Sequence, residues 1–411
     1  MTLRDIPLFL LGRRESIQAI AGSRHALWVG LVLVLTGSLA RNYDGAYLPA
    51  EWHVLLHGVV VSIINALILH TLLYLSCRGQ ANLPYFASLR VFLTLFWMTA
   101  PMAWLYAIPY ERFVSPEEAV WCNAWTLAFV SVWRVALITR VLSVLWGARP
   151  LLVLLIVLAF ADVTIFLATL FAPVPVVNFM GGMEHSPAEQ ALAGLNFLAG
   201  FWTFVLALPL LITGGFAVYG IKGQWAAALH GGRVARSVWV FVALVCAAWA
   251  WPLSLAQPEQ KLRHDVESLL RAGNVSAALA VMSSHERVRF PAHWDPPPRK
   301  AYREATPSMD SIRTSLAEGG QAAWVRTVYL DKSGRSLSPH MRWYQLDPGT
   351  VGTGEQELRQ YVAMRDADEE LRRALEFHLK HDERLTDEDR AALERVLAPV
   401  EGDGTSEGEA R

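Results

Sequence analysis

The chain has 411 residues, 53% of them hydrophobic and only 18% charged, whereas a water-soluble domain carries about a quarter charged residues. Its formal net charge of −1 and the absence of any basic stripe exclude a nucleic-acid binder by charge. The charge is unevenly spread: residues 1–256 hold 14 Lys/Arg and 10 Asp/Glu, and residues 257–411 hold 22 and 27. This split predicts an all-α chain in two parts, a polytopic helical membrane bundle of about seven spans and a mostly α-helical soluble domain. The expected divisions are 1–25, 26–256, 257–400 and a disordered tail at 401–411.

Residues 1–25 do not read as a cleavable signal peptide, because Arg13 and Arg14 follow the short apolar run 6–11 instead of preceding it. Leu8, Leu11, Ile17 and Ile20 suit one face of a helix lying on the membrane surface. An irregular tail is the alternative.

A spanning helix needs roughly 20 apolar residues to cross ~30 Å of hydrocarbon. Segments 26–40, 54–76, 91–108, 119–139, 151–171, 191–219 and 238–256 meet that need, the first with help from its flanks. The sixth contains Gly200, Pro209, Gly214 and Gly215 and is expected to tilt or kink; a split there would make eight spans. Gly30 and Gly37 share a face of the first span, as close helix packing requires, with a dimer face as the alternative. Cys77, Cys122 and Cys246 stand isolated in or beside apolar segments and read as small hydrophobes. Trp28, Trp52, Trp104, Trp121, Trp146, Trp225 and Trp239 fall near span ends, as an interfacial aromatic belt would.

The first segment and alternate loops carry Arg4, Arg13, Arg14, Arg24, Arg78, Arg90, Arg140, Arg149, Lys222, Arg233 and Arg236. The intervening loops carry only Arg41 and Arg112. The positive-inside rule therefore puts the N-terminus in the cytoplasm and, with seven spans, the C-terminal domain outside. The expected location is a bacterial inner membrane.

Polar residues inside spans are costly and constrain mechanism. Arg134 and Asp162 differ in predicted depth by about 9 Å, within combined side-chain reach, so an ion pair between neighbouring helices is expected. A proton or ion relay through Asp162 is the functional alternative. His57, Asn65 and His70 lie in the second span, with His57 and His70 on roughly opposite faces, which argues against paired haem ligation. At the outer mouth Asp44, Glu51, His53 and His57 cluster in sequence, with Glu184 and His185 on the same predicted side. Imidazole and carboxylate ligands suit zinc, so Glu51, His53 and His57 are the candidate metal set. Without an HExxH pattern, ordinary interfacial side chains are the simpler reading, and no cofactor is expected.

In the polar part, Leu262, Val266, Leu269 and Leu270 recur at helical spacing, Gly273 and Asn274 make a turn, and 277–282 begins a second helix. Residues 290–299 (FPAHWDPPPR) read as an extended Pro-rich connector. Residues 310–316 form a short helix; 322–346 is ambiguous, with helix favoured over hairpin. Residues 355–380 are helical in pattern, and Thr386 caps a last helix through Leu397. The stretches RDIPLFLLGRRESI, ALWVG, RNYDGAYLPAEWH and HWDPPPR resemble bacterial multi-span inner-membrane proteins without an assigned activity, so the resemblance implies no site residues. The function expected from these features is non-enzymatic: a membrane protein whose extracytoplasmic domain binds a protein partner, with homo-oligomerisation open. The alternatives are an ion- or proton-coupled transporter or channel using Asp162 and Arg134, and a metal-dependent membrane enzyme at Glu51, His53 and His57.

Overall fold

The computed structural model describes residues 1–76, 84–170, 187–221, 231–298, 307, 309–329, 332, 369–383 and 385–397. Among them the fold is all-α, and six helices are long and apolar enough to cross a membrane. The described residues divide into two compact units. The first contains those of Met1–Val174, Pro187–His264 and Phe290–Trp294; the second contains those of Asp265–Arg289 and Asp295–Arg411.

The first unit begins with two short helices, α1 (Asp5–Leu10) and α2 (Arg14–Ala21), where the sequence suggests one surface-lying helix. The break falls at Gly12, whose φ of +72° suits glycine, and whose carbonyl accepts from Arg140 Nε at 3.1 Å. Trp133 Nε1 donates to the Leu10 carbonyl at 3.1 Å. Ile6, Phe9, Ile17 and Ile20 are buried in the bundle core, while Leu11 is 64% exposed. The packed face is thus shifted from the expected one, because the bend at Gly12 resets the helical phase.

Helix α3 (Ala26–Asn42) has 17 residues, about 25 Å at 1.5 Å per residue, and buries Ala26, Val29, Leu33 and Ala40. It packs on α4 (His53–Ser76), α5 (Tyr85–Trp97) and the 3₁₀ segment Ala100–Ala107. Alanine at Gly30 would bring a Cβ within 2.9 Å of Trp97 Cβ, and one at Gly37 within 3.4 Å of Ala103 Cβ. The small-residue face therefore serves packing inside the chain, not a dimer contact. Helix α6 (Pro116–Trp146) starts with a capping box, Ser115 Oγ accepting from Glu118 N at 3.3 Å and Glu118 Oε2 accepting from Ser115 N at 3.1 Å. It ends at Gly147, with φ of +59°.

Helix α7 (Pro150–Leu170) runs beside α8 (Pro187–Gly220), where Gly214 comes close to Ala159 and Gly200 to Thr169. Pro209 inside α8 cannot donate to the Val205 carbonyl. Phe197, Phe201, Trp202, Phe204, Leu208 and Phe216 of α8 are all exposed on the protein surface. Such a surface is what a helix presents to lipid, since water would penalise each of these side chains by about 1.5–3 kcal/mol. Helix α9 (Arg236–Ala248) is followed by α10 (Ala250–Arg271), which continues unbroken through the composition change at residue 256. The compact units divide at 264–265.

Of the second unit, α11 (Val275–Ser283), α12 (Met309–Ala317), α13 (Glu369–His381) and α14 (Asp387–Leu397) are described. Residues 323–329 are helical, which agrees with the helical reading at the start of 322–346; residues 333–346 lie outside the described set. Thr386 and Asp389 form the expected N-terminal cap, with Asp389 N donating to Thr386 Oγ1 at 3.1 Å. Tyr329 is buried and donates to the Pro297 carbonyl at 3.0 Å. Residues 355–368 and the 401–411 tail also lie outside the described set.

Candidate functional site

Three neighbours of α3 leave a gap toward one end of the bundle. There α3, α4, α5, the 3₁₀ segment and α6 enclose a cavity of about 540 Å³. Its wall is set partly by Gly58 of α4, where a Cβ would overlap Ser38 of α3. Trp97 Nε1 donates to Ser62 Oγ at 2.8 Å, which fixes the indole as another wall. The polar lining consists of Ser38, Arg41, Asn42, His53, His57, Ser62, Asn65, Tyr106 and Arg134, with no Asp or Glu among the lining residues.

Both arginines rest against aromatic faces. The Arg41 guanidinium carbon lies 4.6 Å from the centre of the Tyr106 ring, and that of Arg134 lies 5.4 Å from the centre of Phe96. Buried Arg134 Nε has no hydrogen-bond partner, and among the described residues neither arginine forms an ion pair. An arginine at mid-bilayer costs roughly 2.5–3.5 kcal/mol on insertion scales, and a cation–π contact recovers about 0.5–2 kcal/mol. Ring contact alone leaves Arg134 undercompensated.

The sequence candidates separate. His53, His57, Asn65 and Arg134 line the cavity together. His70, on the same helix, is buried elsewhere, with Nε2 3.1 Å from Ser88 Oγ and the rings of Tyr74, Tyr85, Phe92 and Trp146 around it. Trp146 is itself enclosed there; Trp225 lies outside the described residues. Asp162 is buried in α7, its Oδ2 without a hydrogen bond, and the expected ion pair with Arg134 is not formed. A difference in depth carries no information on rotation about the helix axis. The contacts of Ala159 with Gly214 and Thr169 with Gly200 place Asp162 level with the turn around Pro209 instead.

Glu51 is likewise drawn away from His53 and His57. Its carboxylate accepts from Tyr47 N at 2.6 Å and from Arg263 at 2.6 Å, and lies 3.6 Å from His264 Nδ1. Burial works to raise the Glu51 carboxyl, but these donors and the Arg263 charge together bring it below the ordinary carboxylate value. Among the described residues no three His, Cys, Asp or Glu side chains gather as a metal set; Glu184 and His185 are outside them. Glu51 therefore does not join His53 and His57: its carboxylate is held by Tyr47 N and Arg263, while the two imidazoles line the cavity.

Around this end of the bundle a polar latch joins the 43–51 loop to α10. Gln257 Nε2 donates to the carbonyls of Tyr43 and Ala46 at 2.9 and 3.0 Å, and Arg112 makes a two-pronged pair with Glu259 at 3.2 and 2.7 Å. Burial, and then the nearby Glu111 charge, push the Asp44 carboxyl up to about 6. Burial and Asp44 push the Tyr43 hydroxyl up to about 12.

The sequence reading missed Arg41, Tyr106 and Ser38 as site residues. One signal was present: Arg41 ends an apolar helix on the side that is otherwise almost free of positive charge. Compared with protein-family models, curated proteins and solved structures, the chain matches none.

Proposed function

We propose that this chain is a bacterial inner-membrane protein with seven helical crossings that binds a polar solute in the bundle cavity, as the binding step of a carrier. The observation that carries this reading is the cavity itself: about 540 Å³, lined by two arginines, two histidines and two asparagines from apolar helices. A bundle serving only as an anchor needs no polar interior, and polar residues inside a membrane are costly enough to imply use. This places solute binding ahead of the partner-binding scaffold as the preferred role. It also replaces Asp162 by the Arg41–Arg134 pair at the centre of the transporter reading.

Orientation follows the charge asymmetry, with the N-terminus cytoplasmic and residues 257–400 forming a water-facing helical domain outside, open to a protein partner. Helix α3 supplies the seventh crossing, its 17 residues extended by flanking turns. The cavity, built from the end of α3 and the start of α4, then opens to the extracytoplasmic side.

The test uses a chain in which Cys77, Cys122 and Cys246 are replaced by alanine and one cysteine is introduced. Intact cells are treated with a charged, membrane-impermeant thiol reagent. Ser38→Cys and Asn65→Cys should react from outside, and lipid-facing Ile64→Cys should not. Unreactive cysteines at both cavity positions, under conditions where an exposed-loop cysteine reacts, would rule out a water-accessible site. Reaction only in inverted vesicles would reverse the orientation.

A further inference from the structure

Two guanidinium groups share one cavity with no carboxylate among its lining residues. Arg134 Nε is enclosed without an acceptor. Like charges lining one cavity repel unless a counter-charge sits between them, and Asp162, the nearest reading of such a counter-charge from sequence, faces elsewhere. The rest of the polar wall is rich in donors: the Asn65 amide and the His53 and His57 imidazoles make no hydrogen bond within the described protein. Guanidinium forks and donors around a pocket with no competing carboxylate are the chemistry that recognises an oxyanion.

The charge and the size narrow the class. Two fixed positive charges are balanced by a dianion, which a carboxylate or a phosphodiester does not supply and a phosphate monoester does, at about −1.5 to −2 near neutral pH. A cavity of about 540 Å³ is far larger than a lone phosphate, and part of its wall is apolar, from Val34, Val54, Val61, Ala100 and Ala103. Resting on the cavity reading above, we infer that the ligand is a phosphate monoester, its phosphate between Arg41 and Arg134 and its organic body against the valine and alanine wall. The same headgroup chemistry can arrive on a membrane lipid or on a soluble metabolite.

The full chain, purified in a non-ionic detergent, is titrated with dioctanoyl phosphatidic acid, with glycerol 3-phosphate, with dioctanoyl phosphatidylglycerol and with dioctanoylglycerol. At least one of the two monoesters should bind, and the singly charged phosphodiester and the neutral diacylglycerol should bind at least about fivefold more weakly. Arg41→Gln and Arg134→Gln should each weaken the monoester by about tenfold or more, as loss of a charge-assisted bond requires. Ala103→Trp, which keeps both guanidiniums and fills the cavity, should also abolish binding and guards against a folding defect in the arginine variants. Binding of phosphatidic acid alone assigns the source to the bilayer, and binding of glycerol 3-phosphate assigns it to water; both support the inference. Failure of the wild type to bind either monoester overturns it, as does equal binding of the diacylglycerol or phosphodiester, or wild-type affinity in both arginine variants. A cavity that reacts with the thiol reagent but binds no monoester would refute the ligand class and leave the solute-binding reading standing; an unreactive cavity would remove both.

Discussion

Replacing Gly30 with alanine would place a methyl group 2.9 Å from Trp97 Cβ and 3.4 Å from the Thr94 carbonyl oxygen. The neighbour at 2.9 Å is the root of a side chain, so relief requires a shift of α5 or α3. Trp97 is also held at its far end, where Nε1 donates to Ser62 Oγ at 2.8 Å, and only 5% of it is exposed. Overpacking of this kind costs about 1–3 kcal/mol, and the gain in helix propensity from Gly to Ala offsets up to about 1 kcal/mol. The net expectation is a loss on the order of 1–2 kcal/mol. Gly215→Ala in α8 is the matched control, because nothing lies within 4 Å of its Cβ position; only the propensity term applies, so stability should hold or rise. Unfolding of the two variants in one detergent, followed by tryptophan fluorescence, gives the comparison. If Gly30→Ala proves at least as stable as Gly215→Ala, the α3–α5 contact is not as close as described, and the cavity wall it fixes is misplaced.

Further outcomes follow from the polar groups. Asp162→Asn removes a charge and keeps the shape; since Asp162 does not pair with Arg134, the Arg134-dependent ligand binding should change by less than about twofold, and a loss comparable to that of Arg134→Gln would restore the ion-pair account. With its folded pKa raised from 3.8 to about 6 by burial and Glu111, opposed by Arg112, Asp44 favours the folded state below about pH 4 and loses that contribution as pH rises through 6. Asp44→Asn should therefore raise stability relative to wild type at pH 7 and not at pH 4, in paired melts. Glu51 behaves oppositely: its depressed carboxyl contributes above the ordinary value of 4.5 and loses that contribution as pH falls below it. A double-mutant cycle of Glu51→Gln and Arg263→Ala should give a coupling on the order of 1 kcal/mol at neutral pH, reduced for partial exposure; zero coupling would show the pair to be incidental.

Much of the bundle was legible because length and apolarity suffice to define a lipid-facing helix. The long apolar helices fall on the segments read from sequence, and the cap at Thr386 was visible in its Thr–x–x–Asp spacing. What sequence withheld was rotation and partnership. Arg134 and Asp162 lie on adjacent helices yet have different surroundings, a distinction that a rise per residue does not contain. Gly30 and Gly37 announced close packing but not which helix would arrive. Glu51 sits two residues from His53, and its destination, Arg263, is more than 200 residues away in the chain. Composition changes near residue 256, whereas α10 runs unbroken from Ala250 to Arg271 and the two compact units divide within it at 264–265.

The most direct measurement places a nitroxide on Asn65→Cys and on Ile64→Cys in the cysteine-free chain, reconstituted in lipid, and compares collision with a water-soluble nickel chelate and with oxygen. Asn65 lines the cavity, and Ile64 is 48% exposed on the outer surface of the same helix. The label at 65 should meet mainly the nickel chelate and the label at 64 mainly oxygen, although the two are adjacent in sequence. Lipid-like collision at both positions, or the reverse pattern, would contradict a polar cavity inside a lipid-facing bundle.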